Sequence, residues 1–383
     1  MVPITINPLI EVLLAFSVAL FVTWYYIPRV IKIASIKNLT DKPGERKVHN
    51  FAIPTLGGIG IFGGFTFGFL LAVDGQLPGV AYFTAASMIL FFIGISDDLI
   101  NMSPRKKVIA ELFAAFIIFL FTDMHFTNFH GFLGITELPF WLSLLITMFV
   151  VVVIINSLNL IDGIDGLAAS VGIIASAVLG TWFWLSGDYG YAIMASALLG
   201  SLIAFLRFNL SKGTSKIFMG DTGSLVIGFI LAVMIIRFNE INAASTSFIV
   251  LRSAPAISIA ILIVPLFDTL RVFTLRAVDG QSPFTADNRH IHHLMLRAGF
   301  SHRMSTLYIS IAHLLIIGLA FWLDNIGIMR LTLVLMSVCA FLTILVKMKI
   351  QIKNGRKASE RMGINKVKIN LLYLERAIKN KAI

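Results

Sequence analysis

Eleven mainly apolar windows follow one another along the chain, at 8–30, 54–73, 79–97, 108–121, 139–156, 167–186, 190–207, 222–237, 254–272, 304–322 and 328–346. Most approach the roughly 17–25 residues that cross a bilayer as a helix. Few folds can accommodate such a pattern. Lipid offers no partner to backbone N–H and C=O groups, so each window must close its own hydrogen bonds as a helix. Of the 383 residues, 57% are hydrophobic and 13% charged, with a mean hydropathy of +0.89. Soluble domains carry about a quarter charged residues, so an ordinary soluble globule is excluded, and a disordered chain more firmly still. The single Cys339 lies in an apolar run, which leaves neither a disulfide framework nor a cysteine-built zinc site. The pattern predicts an all-α polytopic membrane protein, a bundle of about eleven transmembrane helices. It reads as one membrane-embedded domain over 1–346 followed by a basic tail over 347–383. No internal repeat is visible, which argues against a transporter made of duplicated halves.

Charge sets the orientation. An alternating path through eleven spans puts 28 of the 31 Lys and Arg on one side, in 29–50, 97–107, 207–221, 271–303 and the tail. Only Arg237, Arg252 and Arg330 fall on the other side. By the positive-inside rule the basic side is cytoplasmic, with the N-terminus outside and the C-terminal tail inside. Met1–Pro8 carries no Lys or Arg, so the first window reads as an anchor rather than a signal peptide. Tail cations such as Lys347, Lys349 and Lys353 either lie on anionic lipid or serve only as a topology signal.

The acids gather on the same side. Asp41, Glu45, Asp97, Asp98, Asp162, Asp165, Asp221, Asp279 and Asp287 all fall in the cytoplasmic loops or at their helix junctions. Carboxylates interleaved with Lys and Arg at the mouth of a bundle suit a divalent cation together with a polyanion, and magnesium commonly binds phosphates through one or two carboxylates. Asp41, Arg46, Lys47 and His49 precede the glycine-bearing helix start Pro54-Thr55-Leu56-Gly57-Gly58, and read equally as a phosphate site or a positive-inside loop. The Asp97-Asp98 pair at membrane depth carries mutual repulsion and lost hydration that a cation would offset. Ser103 and Pro104, ahead of Lys107, read as the N-cap and first position of the next helix.

The stretch Asn156-Ser-Leu-Asn159-Leu-Ile-Asp162-Gly163-Ile-Asp165-Gly166 joins two spans with no basic residue. Its amides and acids recur at spacing three, one side of a helical turn, and capping accounts for one of the four polar residues at most. In Met219-Gly220-Asp221-Thr222-Gly223-Ser224, Asp221 is either an N-cap or part of a metal or phosphate site at a helix N-terminus. In the last long loop, a helix over 288–298 capped by Asn288 would place His290, His293, Leu294 and Arg297 on one face. The zincin pattern is absent and Arg297 would repel a cation, so these His and Arg read as phosphate ligands or as a surface helix.

Taken together, Asp97-Asp98, the Asn-x-x-Asn-x-x-Asp-Gly-x-Asp-Gly stretch, Gly-Asp-x-Gly-Ser and His290-Ile291-His292-His293, in this order between spans, resemble one family over roughly 40–305. It is the polyprenyl-phosphate N-acetylhexosamine-1-phosphate transferases, and the His-Ile-His-His string resembles their WecA/TagO branch. The resemblance implies a cytoplasmic-face active site that moves GlcNAc-1-phosphate from UDP-GlcNAc to undecaprenyl phosphate, releasing UMP. That step opens cell-envelope glycan synthesis, with lipopolysaccharide and teichoic acid routes both fitting. The resemblance also implies Mg2+ as cofactor, with Mn2+ as an alternative, held by Asp221 and Asn159. Asp97 and Asp98 would lie nearest the lipid phosphate, and Asp162 and Asp165 would contact the nucleotide or support the metal. Lys107 would meet a phosphate, and Arg276, His290 and His293 would hold the diphosphate or GlcNAc. His292, Asn156, Asp41, Arg46, Lys47 and His49 complete the expected substrate contacts. Membrane lipid and no nucleic acid is implied, and the wider family suggests a homodimer in a bacterial cytoplasmic membrane.

Overall fold

The computed structural model describes residues 7–37, 39–41, 53–73, 75, 77–131, 134–244, 249–281 and 289–380, with backbone alone at 40, 41 and 355–380. In chain order the helices are α1 (Pro8–Ile36), α2 (Gly57–Ala72), α3 (Val80–Ile100), α4 (Pro104–Phe121), α5 (Phe140–Ile161), α6 (Leu167–Leu185) and α7 (Tyr189–Asn209). They continue as α8 (Gly220–Ala244), α9 (Ala254–Ile261), α10 (Ile263–Val278), α11 (Ile291–Arg297), α12 (His302–Trp322) and α13 (Ile328–Asn380). A two-residue antiparallel pairing joins Thr40–Asp41 to Ile53–Pro54.

Each of the eleven apolar windows is helical, but the count of about eleven spans is not reached by length and composition. Eight described helices are long and apolar enough to cross a membrane, or nine if the bent pair α9 and α10 is one span. The helix α2 is short for a span, at 16 residues, and α4 opens on Arg105, Lys106 and Lys107 with Glu111 one turn on. The multi-pass bundle stands. The last helix, α13, runs on past residue 347 through Asn380.

The window at 254–272 is two helices, not one. At Leu262 the axis bends by 84°. Pro265 explains the break, since it has no N–H to give the carbonyl four residues back and its ring crowds that carbonyl. That carbonyl belongs to Ile261, and it accepts instead from His313 Nε2 of α12 at 2.9 Å, inside the bundle. The freed backbone group is thereby satisfied where no water reaches it.

At the centre lies α8, with 89% of its apolar window buried against 28% for α1 and 22% for α13. It packs on α2, α3, α5, α6 and α9, while α1 lies outside against α2 and α7. Its N-terminus is clasped by two glycines: a Cβ at Gly58 would lie 2.2 Å from Gly223 N, and one at Gly94 would lie 2.4 Å from Thr222 Cα. Backbone bonds tie the same region down, from Gly57 N to Phe218 O, Gly58 N to Met219 O and Phe218 N to Pro54 O. The stretch around Pro54–Gly58 thus fixes the entry to α8. The consequence is testable by thermal unfolding in detergent: Gly94→Ala should cost about 1–3 kcal/mol through overpacking and lower the Tm. Gly63→Ala, where nothing lies within 4 Å, should leave the Tm unchanged or raise it.

Candidate active site

The Asp-Asp pair ends α3 and turns in two directions. Asn101, at φ 50°, carries the chain through a tight turn, and Asp97 Oδ1 accepts from Met102 N at 2.5 Å. Asp97 Oδ2 then meets Lys107 Nζ, in the first turns of α4, at 3.1 Å. Asp98 points instead to the start of α8. Its Oδ1 accepts from Asp221 N at 2.8 Å, and its Oδ2 from Thr222 N at 3.0 Å and Thr222 Oγ1 at 2.5 Å. The repulsion between the acids is thus relieved by two separate sources, an ammonium for Asp97 and the positive end of a helix dipole for Asp98. Ser103 stands at the N-cap of α4 as expected, but its side chain makes no capping bond and its carbonyl takes Lys106 N instead.

Asp221 is not an N-cap. The helix begins at Gly220, whose φ of 72° turns the chain into α8, and Asp221 sits in the first turn facing the site. Its Oδ2 lies 2.6 Å from Lys107 Nζ, so one ammonium bridges carboxylates from α3 and α8. Its Oδ1 accepts from Asn159 Nδ2 at 3.0 Å, and the same amide reaches Ser224 Oγ at 2.8 Å. The two residues expected to hold a metal, Asp221 and Asn159, are therefore in contact. Lys107 and Asp221 keep 20% and 27% of their side-chain surface exposed, which leaves the cluster open to a ligand. Among the described residues, no three His, Cys, Asp or Glu side chains gather as a metal cage. Two carboxylates face one ammonium, hard oxygens of the kind magnesium takes alongside phosphate, while Asn159 turns its amide nitrogen to Asp221.

Asn156 serves a different acid. Its Nδ2 donates to Glu111 Oε2 at 2.5 Å and to Val152 O at 2.9 Å. Glu111 is 1% exposed, one turn along α4 from Lys107, and its Oε1 has no hydrogen-bond partner among the described residues. It was missed in sequence because it lies inside an apolar window, although a lone acid in such a window is itself the signal.

The helical spacing expected for Asp162 and Asp165 fails, because α5 ends at Ile161 and a turn-rich segment follows. Desolvation holds the half-buried Asp162 carboxyl well above the usual carboxylate range, and the charges of Asp221, Asp98 and Asp165 push it further. Asp165 is turned away from the Lys107 cluster. Its carboxylate meets Lys216 Nζ at 2.6 Å and lies 3.8 Å from His302 Nδ1, and its carbonyl accepts from Thr306 Oγ1 at 2.7 Å.

The histidine helix also differs from expectation. It spans only Ile291–Arg297 with His290 at the N-cap, and Asn288 and Asp287 lie outside the described residues. The buried set is His290, His292, Leu294 and Met295, whereas His293 is half-buried and Arg297 exposed. The His292 ring lies against Gly163, where a Cβ would come within 2.3 Å of Nε2. Burial and then the neighbouring His293 push its pKa down to about 3, so His292 is a neutral packing group near pH 7. His290 Nδ1 donates to Asp268 Oδ2 at 2.9 Å, and Asp268 is a second acid that an apolar window concealed. Arg276 is buried on α10, with its guanidinium 5.8 Å from the Phe273 ring centre. Arg46, Lys47 and His49 lie outside the described residues, and Asp41 is described by its backbone alone.

With this geometry in view, residues 80–239 match the model of glycosyl transferase family 4. An undecaprenyl-phosphate alpha-N-acetylglucosaminyl 1-phosphate transferase of Escherichia coli (strain K12) is 32% identical over 304 residues, covering 77% of this chain and 79% of the relative. The chain belongs to glycosyl transferase family 4. A protein of the same name from Salmonella typhi is 31% identical over 307 residues, covering 79% and 81% of the two chains. A probable undecaprenyl-phosphate N-acetylglucosaminyl 1-phosphate transferase of Bacillus subtilis (strain 168) is 31% identical over 349 residues, covering 89% and 94%. The family match takes in α3 to α8 up to residue 239, and with them the Lys107 cluster, Glu111, Asn156 and the Asp162–Asp165 turn of this family member. The protein is a sugar-phosphate transferase with several membrane-crossing helices.

The raised acid Asp162 carries a prediction with a definite sign. A carboxyl that is harder to ionise in the fold than in the unfolded chain stabilises fully below about pH 3.9 and loses that contribution as pH rises through its raised value. Asp162→Asn should therefore raise the Tm relative to wild type at pH 7.5 in EDTA, and the gain should shrink steadily as the scan is repeated toward pH 4.

Proposed function

We propose that this protein transfers GlcNAc-1-phosphate from UDP-GlcNAc to undecaprenyl phosphate, leaving undecaprenyl-diphosphate-GlcNAc in the membrane and releasing UMP. The names of its relatives supply undecaprenyl phosphate and the N-acetylglucosaminyl 1-phosphate group, and a nucleotide diphosphate sugar is the activated form from which that group is transferred. The observation that carries the chemistry is the convergence of Asp97 and Asp221 on Lys107 at the mouth of an apolar bundle. Phosphoryl transfer asks for alignment and charge neutralisation more than for covalent help from the protein. A lipid-borne phosphate must also reach this mouth from the bilayer.

In the reaction, an oxygen of the lipid phosphate attacks the sugar-bearing phosphorus, and the bond from that phosphorus to the bridging oxygen of UMP breaks. The attacking phosphate, with a second pKa near 6, is already mostly doubly ionised near neutral pH. No strong base is needed, and Asp97 takes any remaining proton. Asp98 is a poor nucleophile in this arrangement, because its two oxygens already accept three hydrogen bonds from the start of α8, and this favours a single displacement over a phosphorylated aspartate. Lys107 offers its ammonium to the phosphate oxygens, and Asn159 holds Asp221 in place. Asp221 and Asn159 would hold magnesium, Asn159 by turning its amide oxygen to the ion in place of the Nδ2 that meets Asp221, which leaves Asp97 as the proton acceptor. When bound there, the ion neutralises charge on the diphosphate. Manganese suits the same oxygen donors.

The basic loops and the site lie on the cytoplasmic side, where the UDP-sugar is, with the N-terminus outside and the C-terminus within. The reaction opens a cell-envelope glycan, and a homodimer fits the wider family. The test is UMP release by purified protein in detergent with magnesium and undecaprenyl phosphate. Release should depend on lipid and be obtained with UDP-GlcNAc in preference to UDP-GalNAc or UDP-MurNAc-pentapeptide. EDTA should abolish it, and Lys107→Gln should lower turnover by about 10²-fold or more. No release with any donor would overturn the reading.

A further inference from the structure

The long cytoplasmic loop returns to the bundle at a closed knot of charge that the reaction above does not use. Asp268 of α10 is 1% exposed, and its two oxygens take three donors. Oδ1 accepts from Arg271 Nη2 at 2.7 Å and from Ile291 N, the first amide of α11, at 2.9 Å. Oδ2 accepts from His290 Nδ1 at 2.9 Å. Arg271 Nη2 also donates to Arg289 O at 2.6 Å. One turn of α10 therefore fastens residues 289, 290 and 291 in succession.

We propose that Asp268 is a positioning residue of the transferase, fixing the His290 imidazole as its Nδ1–H form so that Nε2 is turned away from α10 to bind the sugar-phosphate donor. The proposal rests on the transferase reading above. A neutral imidazole carries its proton on one nitrogen, and the partner of that nitrogen decides which face is left for a ligand. Here the partner is a carboxylate that cannot itself rotate away, since its other oxygen is bound by an arginine and by a helix amide. Arg271 balances the buried charge of Asp268, which would otherwise be costly to leave alone. The same carboxylate starts α11, so ring orientation and helix position are set by one group.

What lies beyond the ring gives the arrangement its direction. His290 and His292 stack with their rings within 4° of parallel at 5.8 Å, and His292 touches Gly163. Gly163 follows Asp162, on which the carboxylates of Asp221 and Asp98 act. A packed line thus runs from Asp268 through His290 and His292 to the turn beside the acid cluster. None of these contacts of Asp268 is with Lys107, Asp97 or Asp221, so its loss should move His290 and leave that cluster in place. The lipid-phosphate side of the reaction should not register the change, whereas the donor side should.

A double-mutant cycle on UMP release tests this, using Asp268→Asn, His290→Asn and the pair, with kcat and KM measured for UDP-GlcNAc and for undecaprenyl phosphate. Asparagine presents an amide N–H toward the ring in place of an acceptor, which inverts the tautomer without changing side-chain volume. Each single variant should lose about 10–100-fold in kcat/KM for UDP-GlcNAc. The double variant should be no worse than His290→Asn alone, because the two act as a unit. The KM for lipid should stay within about two-fold in all three. Losses that multiply in the double variant, or an equal rise in both KM values, would overturn the proposal. If Asp268→Asn does not fold, Asp268→Glu keeps the Arg271 pair and shifts the ring by one methylene, and it should show the same donor-side loss; full activity in it would overturn the proposal too. Lipid-dependent release by the wild type stands whatever the cycle gives, so the positioning claim can fail while the transferase reading survives.

Discussion

The contact on which the rest depends is Asp98 at the start of α8. A carboxylate from α3 accepts two backbone N–H groups and a hydroxyl from Asp221 and Thr222, which caps the most buried of the long apolar helices. Hydrogen bonds to a charged acceptor contribute about 1.5–3 kcal/mol each where water is scarce, and the helix dipole adds up to about 2 kcal/mol in a partly buried setting. Close approach is the condition for this cap, and the bare Cα atoms of Gly58 and Gly94 allow it. With α8 pinned there, Asp221 can only face Lys107 and Asn159. The position of the reactive cluster is thus a consequence of helix packing and not of a flexible loop.

A second irregularity shapes the other half of the site. Because Pro265 breaks the helix and His313 satisfies the carbonyl it frees, α10 leaves the direction of α9 by 84° and packs on α5. An unbroken helix through 254–272 would have kept Asp268 and Arg271 in line with the rest of that span. The bend carries them to the returning loop, where they meet Arg289, His290 and Ile291. A buried ion pair in such a place is weak evidence for stability and better evidence for specificity of arrangement, which fits a group that orients another.

Much of this was legible in the sequence, for reasons that differ by residue. Lipid imposes long apolar helices, so every window appeared as a helix, and acids beside such windows stand out because they are costly there. Asp97, Asp98, Asn159 and Asp221 were visible on that ground, and Lys107 by its place after the pair; all five do converge. Glu111 and Asp268 were concealed by their own surroundings, since each lies inside an apolar window and finds its partner 45 and 22 residues away along the chain. The bend at Leu262 had its signal in Pro265, but nothing local says that a histidine fifty-two residues on will supply the missing bond. The histidine face was misjudged because His290 precedes the helix instead of lying on it, held at the N-cap by Asp268, a tertiary partner. Asp165 shared its spacing with Asp162 but is drawn to Lys216 by a contact that spacing does not encode.

The balance of charge at the mouth gives the final physical step. Asp97 and Asp221 share one ammonium, Asp98 has the α8 terminus, Asp165 has Lys216 and Asp268 has Arg271. Asp162 is left with acids as its electrostatic neighbours, and Glu111 with an amide. Among the described residues, Lys107, Lys216 and Arg271 are thus already paired with acids. A nucleotide-sugar diphosphate meeting a lipid phosphate brings several further negative charges into a region bounded by apolar helices, where unscreened repulsion is strong. Lys107 has less of its charge to offer them while it holds two carboxylates. This is the physical argument for the magnesium proposed above, and it rests on the count of charges rather than on a preformed cage.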